Sequence, residues 1–122
     1  MKSTSNPQKL QQELRAFTGT SQYFQHSMGS LLYTDGVRHL AISAAAYWLI
    51  DLIASLLPQL NEDEYFFVWR LQVDRSDSSA VLICDDGNDN ILISNTIPYT
   101  NFPLDSLSLY LCDLVLMLPS EY

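Results

Sequence analysis

The spacing of apolar residues along the chain changes once, just after residue 61. Before that point they recur at three- and four-residue intervals; beyond it they fall on every second position. Pro7 suits the first turn of a helix, and QKLQQELRAF continues it with Leu10, Leu14 and Phe17 on one side. Gly19 ends that helix. Thr20 or Ser21 then caps a second short one, SQYFQHSM, which stops by Gly29. SLLYT reads as a short extended stretch, after which Asp35 caps a long helix beginning at Gly36. Pro58 disfavours helical geometry in the residue before it, so this helix finishes by Leu57, with Ser43 to Ala45 as the place for a kink.

In FFVWRLQVD, Phe67, Trp69, Leu71 and Val73 line one face of a strand, while Phe66, Val68, Arg70 and Gln72 line the other. RSDSS is a turn, AVLIC a second strand, DDGNDN a second turn and ILISNTI a third strand. Pro98 and Pro103 bracket a loop. LSLYLCDLVLMLP is one long strand or a hairpin folded about Cys112-Asp113, and the hairpin fits better because an unbroken strand carries Asp113 into an apolar face. Helices first and short-turned strands second predict an α+β domain. Its expected form is a two-layer sandwich: N-terminal helices, and one long central helix packed on an antiparallel meander. Residues 1–122 make a single domain, helical over about 7–57 and sheet over about 65–118. The side of the long helix bearing Ile42, Ala46, Leu49, Ile53 and Leu56 should meet the Trp69 face of the sheet.

A polar stripe breaks the apolar helix. His39, Ser43, Tyr47 and Asp51 recur at intervals of four, which keeps them in lateral contact on one helical edge. Two readings follow. The stripe is an outer edge partly covered by the N-terminal helices, as most helices have one polar edge. Alternatively it lines a small-molecule pocket, where a carboxylate at Asp51 among apolar neighbours needs partners or a raised pKa. The placement of Asp51 decides between them.

Composition sharpens the picture. Nearly half of the 122 residues are hydrophobic and 16% are charged, which suits a chain with a real core and excludes a disordered one. The opening MKSTSNPQKLQQE has no apolar run, so no secretory leader is expected. Cys84 and Cys112 lie in apolar stretches without CxxC spacing and are expected to be reduced thiols in a cytoplasmic protein, with a disulfide between neighbouring strands as the alternative. The net charge of −8 is uneven: residues 1–38 carry +2 and residues 39–122 carry −10. The phosphate backbone would repel the acidic part, so direct nucleic-acid binding is disfavoured and a partner with a basic face is expected. Leu40 to Leu60 contains a single charge, yet Asp51 near its middle would cost about 2.5–3.5 kcal/mol in a bilayer, so no membrane span is expected.

Catalytic signatures are missing from the sequence. The four glycines form no phosphate-binding loop, there is no GxSxG elbow, and His26 and His39 lack a His-x-x-x-His partner. DDGNDN resembles a calcium loop only superficially: its glycine comes third, and the twelfth residue from Asp85 is Thr96 instead of a glutamate. Neither metal nor cofactor is expected, and the balance is against an enzyme.

Topology adds a second candidate site. In an up-and-down meander the segment entering the first strand shares an end of the sheet with the turn joining the second and third. Glu62, Asp63, Glu64, Asp85, Asp86 and Asp89 should therefore gather at one acidic pole, free of lysine and arginine. Such a pole either aids solubility or docks a basic partner.

Several phrases of the chain carry a resemblance. Phe17-Thr18-Gly19-Thr20, Tyr33-Thr34-Asp35-Gly36-Val37, Ala46-Tyr47-Trp48-Leu49-Ile50-Asp51 and the ending Leu118-Pro119-Ser120-Glu121-Tyr122 together resemble a family of small bacterial proteins of no assigned activity, found among cyanobacteria and on mobile elements. The resemblance runs over most of the chain. It implies a free-standing accessory protein of the cytosol and transfers no functional residue. Three functions are expected in turn: an interaction or accessory protein whose acidic surface engages a basic partner, in the manner of a mobile-element inhibitor; a small-molecule binder or minor enzyme using a pocket beside His39, Tyr47 and Asp51; and a structural homo-oligomer. The apolar breadth of the long helix and of the C-terminal strands predicts self-association as a dimer.

Overall fold

The computed structural model describes residues 7–19, 22–27, 29–61, 64 and 66–122. They form an α+β domain with helices on one face of a seven-stranded, mostly antiparallel sheet. Helix α1 spans Pro7–Arg15, β1 Tyr23–Gln25, β2 Leu32–Thr34, α2 Asp35–Ser43 and α3 Tyr47–Leu56. The remaining strands are β3 Phe66–Asp74, β4 Ser79–Asp85, β5 Ile91–Ile97, β6 Ser106–Cys112 and β7 Val115–Met117.

Where a second N-terminal helix is expected, the chain instead makes β1, which pairs with β2 through Phe24 and Tyr33. Aromatic side chains there gain more from the sheet than from a helix: the Phe24 and Tyr33 rings stack at 5.8 Å, and the Arg38 guanidinium sits 4.9 Å over Phe24.

The central helix divides into α2 and α3. Ala45 takes a left-handed φ of 52°, the Ala46 N–H reaches back to the Ala41 carbonyl, and the Ala45 N–H reaches the Ile42 carbonyl. That pairing is a Schellman closure, normally built on glycine. The break resets the helical phase. Val37, Leu40 and Ala41 face inward from α2, while Leu49, Ile50, Ile53 and Leu56 do so from α3. Ile42, expected on the sheet-facing side of one continuous helix, is 53% exposed. The N-cap of α2 is Thr34, one residue earlier than the sequence suggests, with its Oγ1 accepting from the Val37 N–H at 3.2 Å. A carboxylate from the far end of the chain completes this helix start. Glu121 accepts from the Thr34 hydroxyl at 2.6 Å, the Leu118 N–H at 2.9 Å and the Gly36 N–H at 3.3 Å. Glycine at 36 leaves room for this contact: a Cβ would lie 2.7 Å from both Glu121 Oε1 and Leu118 Cδ1 and force those side chains to shift.

Strand order is β1-β2-β7-β6-β3-β4-β5. The meander holds for β3, β4 and β5, but β6 pairs with β3 and not with β5. The loop between Pro98 and Pro103 therefore crosses the end of the β3–β4 hairpin. Thr100 N–H donates to the Ser78 carbonyl at 2.7 Å, and the Arg75 guanidinium donates to the Phe102 and Pro103 carbonyls and to Asp105. Phe102 plugs the crossing, buried edge-on against Trp48. The C-terminal segment is a hairpin: β6 and β7 are joined by Asp113 and Leu114, and β7 then pairs in parallel with β2.

The core lies between the helices and the inner face of the sheet, where Phe67, Trp69 and Leu71 meet Leu82, Cys84, Leu109 and Leu116. Cys84 points into this layer, and burial pushes its thiol up to about 12. Cys112 sits opposite Phe66 on the outer face, and both thiols are free. Among the described residues no helix is long and apolar enough to cross a membrane.

Candidate functional site

The polar stripe separates into two unrelated contacts. On α2, His39 Nε2 lies 2.9 Å from Glu13 of α1 and 3.3 Å from the Ser43 hydroxyl. Serine, histidine and carboxylate are thus together, yet both oxygens meet the same ring nitrogen. A relay that activates a hydroxyl needs the carboxylate on one nitrogen and the hydroxyl on the other, so this trio pins α1 to α2 and is not arranged as such a relay. On α3, the Asp51 carboxylate is 65% exposed and lies 2.7 Å from Nε2 of buried His26, in the segment between β1 and β2. Tyr47 is exposed beside it. Burial, reinforced by Tyr47 and then opposed by Arg38, raises the Tyr33 phenol above its usual range. His39 and Ser43 thus lie on α2 with Glu13, whereas Tyr47 and Asp51 lie on α3, with Asp51 against His26. Asp51 belongs to the outer surface, where it covers a buried histidine. The periodicity announces the stripe but not Glu13 or His26, which only the packing of distant segments supplies.

The acidic residues are arranged differently. Strand β3 begins, and β4 hands over to β5, at one end of the sheet, which places Glu64 beside the turn carrying Asp85, Asp86 and Asp89. Glu62 and Asp63 lie outside the described residues. Asp85 is not a free surface charge. It is buried, pairs with Arg70 on the outer sheet face, and accepts from the Gly87 N–H at 2.8 Å. Gly87, at φ 88°, and Asp89, at φ 67°, give the turn its shape. Asp86 accepts from the Asn90 side chain at 2.9 Å and the Asn88 N–H at 2.8 Å, which hold its carboxyl below the usual range. DDGNDN is thus a hydrogen-bonded hairpin turn with half-buried Asp86 and exposed Asp89 at its tip.

A further carboxylate joins this end because β6 pairs with β3. The β6–β7 turn brings Asp113 there, roughly 14 Å across the strands from the β4–β5 turn. Between Asp113 and the C-terminal end of α3 opens a cleft of about 570 Å³. Its floor is apolar (Leu31, Leu57, Leu60 and Leu111), and its rim carries Glu64, Asp113 and Leu114. The carbonyl end of α3 adds partial negative charge to the same opening. No lysine or arginine occurs in the segments 57–64, 85–91 or 111–115.

Leu114 is the unusual member. Asp113 and Leu114 both adopt left-handed backbone, at φ 50° and 64°, in a two-residue turn that ordinarily takes Asn-Gly. A branched apolar residue is strained in that conformation. The Leu32 N–H fixes it, donating to the Leu114 carbonyl at 2.9 Å, and the side chain stands 44% exposed. Nothing in the spacing of residues signals this. Asp113 is visible in the sequence only as a break in an apolar run.

Among the described residues no group of three or more His, Cys, Asp or Glu side chains is placed to hold a metal ion. A family model described as "Family of unknown function (DUF6876)" matches residues 8–122. The chain belongs to that family. No curated protein and no solved structure matches it.

Proposed function

From membership of a family without an assigned activity, and from the cleft, we infer that the protein is a non-enzymatic interaction protein that holds a basic, apolar segment of another protein. One observation carries this reading: a strained, half-exposed leucine on the rim of an apolar cleft, flanked by carboxylates, with no lysine or arginine among the described residues that line it. Backbone strain persists where the surrounding structure enforces it, and such outliers concentrate at binding and switching sites. The apolar floor offers anchoring area for aliphatic side chains, while Glu64 and Asp113 select lysine or arginine beside them. In this reading the protein acts in the cytoplasm as an accessory or inhibitory factor, with its thiols reduced. The Asp86–Asp89 tip, displaced across the sheet, steers a basic partner during approach and contributes less once it has docked.

The test separates binding from folding. Immobilised protein is used to capture partners from host lysate at low and moderate salt, alongside the variants Leu114→Gly and Glu64→Lys/Asp113→Lys. Glycine relieves the left-handed strain, so Leu114→Gly should fold at least as stably as the parent while losing the captured partner. The charge-reversed variant should lose the same partner, and salt should weaken the parent's hold. A partner retained by both variants would sink the assignment of the cleft.

A further inference from the structure

The sheet has two edges, and they differ in kind. Edge β1 is three residues long. Edge β5 is seven residues long and pairs only with β4, so its outward N–H and C=O groups have no strand beside them among the described residues. Natural edges of this length are ordinarily guarded by lysine, proline or an inward-pointing charge. The run Ile91–Ile97 contains none of these and is guarded only by a bulge at its start, and no charged residue occurs from Asn90 to Leu104. Instead the edge collects exposed apolar surface: Ile91 is 63%, Leu92 43% and Tyr99 71% exposed. A bulge at Leu92, where the register passes from Ile93 opposite Cys84 to Ile91 opposite Asp85, leaves Ile93–Ile97 as the regular stretch.

That regular stretch is its own complement. Turned about a two-fold axis through Asn95 and paired antiparallel with itself, it sets Ile93 against Ile97 and Ser94 against Thr96, with Asn95 facing Asn95. Apolar residues meet apolar ones on the helix side, and hydroxyls meet hydroxyls on the outer side. Exposed apolar Ile91, Leu92 and Tyr99 flank this regular stretch on either side. The paired stretch itself carries no charge; Asp85 lies across from Ile91 beyond the bulge, buried and paired with Arg70, and Asp89 lies in the turn before the strand. For a chain of net charge −8, a paired stretch free of carboxylates is what a second copy requires, whereas a basic partner would find no counter-charge in it.

The geometry points to a homodimer formed by antiparallel pairing of β5 with β5 about Asn95, joining two seven-stranded sheets into one. The dimer uses a surface separate from the cleft, and because it rests on backbone hydrogen bonds and apolar contact it is indifferent to salt.

Sedimentation and light scattering from about 1 to about 100 µM should show a concentration-dependent shift from monomer to dimer mass. The shift should persist in about 0.5 M salt, where the cleft interaction weakens. Ser94 and Thr96 are exposed positions that face each other across the axis, so they report the register. Ser94→Lys/Thr96→Lys opposes like charges and should weaken the dimer at least about tenfold. Ser94→Glu/Thr96→Lys opposes unlike charges in the same register and should restore it. On the unmodified protein, amide exchange within residues 93–97 should slow as concentration rises, a readout that does not depend on any variant folding. A monomer at about 100 µM with unchanged exchange in β5 would overturn the proposal. So would a dimer equally stable in both double variants, since the interface would then lie elsewhere.

Discussion

Trp69 offers a measurement that tests the core and a polar defect within it together. The side chain is 1% exposed, between Cys84 and Leu109 on the neighbouring strands and beneath the helices. Its Nε1 has no hydrogen-bond partner among the described residues. Trp69→Ala removes the whole ring and leaves a cavity, and should cost about 3–5 kcal/mol. Trp69→Phe removes only about 40 Å³, worth about 1 kcal/mol at the usual cavity cost. It also deletes the unpaired N–H, whose desolvation penalty is about 1–3 kcal/mol. The two effects oppose each other, so phenylalanine should leave stability unchanged within about 1 kcal/mol or raise it. Urea titration followed by the fluorescence of the remaining Trp48, and by far-ultraviolet circular dichroism, gives both values if the two probes coincide. A loss below about 1 kcal/mol for alanine would invert the facing of the sheet. A loss above about 3 kcal/mol for phenylalanine would mean that the indole N–H is satisfied and the defect does not exist.

Two other predictions concern the helix break and the buried thiol. Ala45→Gly should raise stability by up to about 1 kcal/mol, since glycine relieves the left-handed φ of 52° at the Schellman closure; a lower melting temperature would argue against that closure. Cys84 should resist alkylation at pH 8 until the protein is denatured, while the partly exposed Cys112 reacts. The folded thiol is pushed up to about 12, above the unfolded value of about 8.5, so its contribution is complete below that unfolded value and is lost as pH rises toward 12. Replacing Cys84 by alanine should therefore flatten the alkaline side of the stability profile between those limits, and an unchanged alkaline slope would contradict this burial.

Local pattern determined much of this protein. Period two from Phe66 to Val73 places Phe67, Trp69 and Leu71 on the buried face, because alternation along a strand is a property of its own backbone. Turn chemistry marked DDGNDN, whose left-handed angles lie within a few residues, and Asp113 interrupting an apolar run marked a hairpin about Cys112-Asp113, one residue short of the observed Asp113-Leu114 turn. The polar stripe of α2 and α3 was visible too, as four positions one turn apart. Contacts between distant segments were decided by tertiary structure alone. Asp51 is an outer residue because His26, 25 positions earlier, is buried against it. The central helix breaks at Ala45, and the phase of α3 is then set by what it buries against the sheet, which is why Ile42 faces outward. The pairing of β6 with β3 depends on Arg75 and Phe102 holding a loop across the sheet end, and no short window of sequence contains both partners. That single pairing moves Asp113 and Leu114 beside Glu64 and so creates the cleft. Periodicity reports which face of an element is apolar. Which elements become neighbours depends on burying those faces all at once, and that is a property of the whole chain.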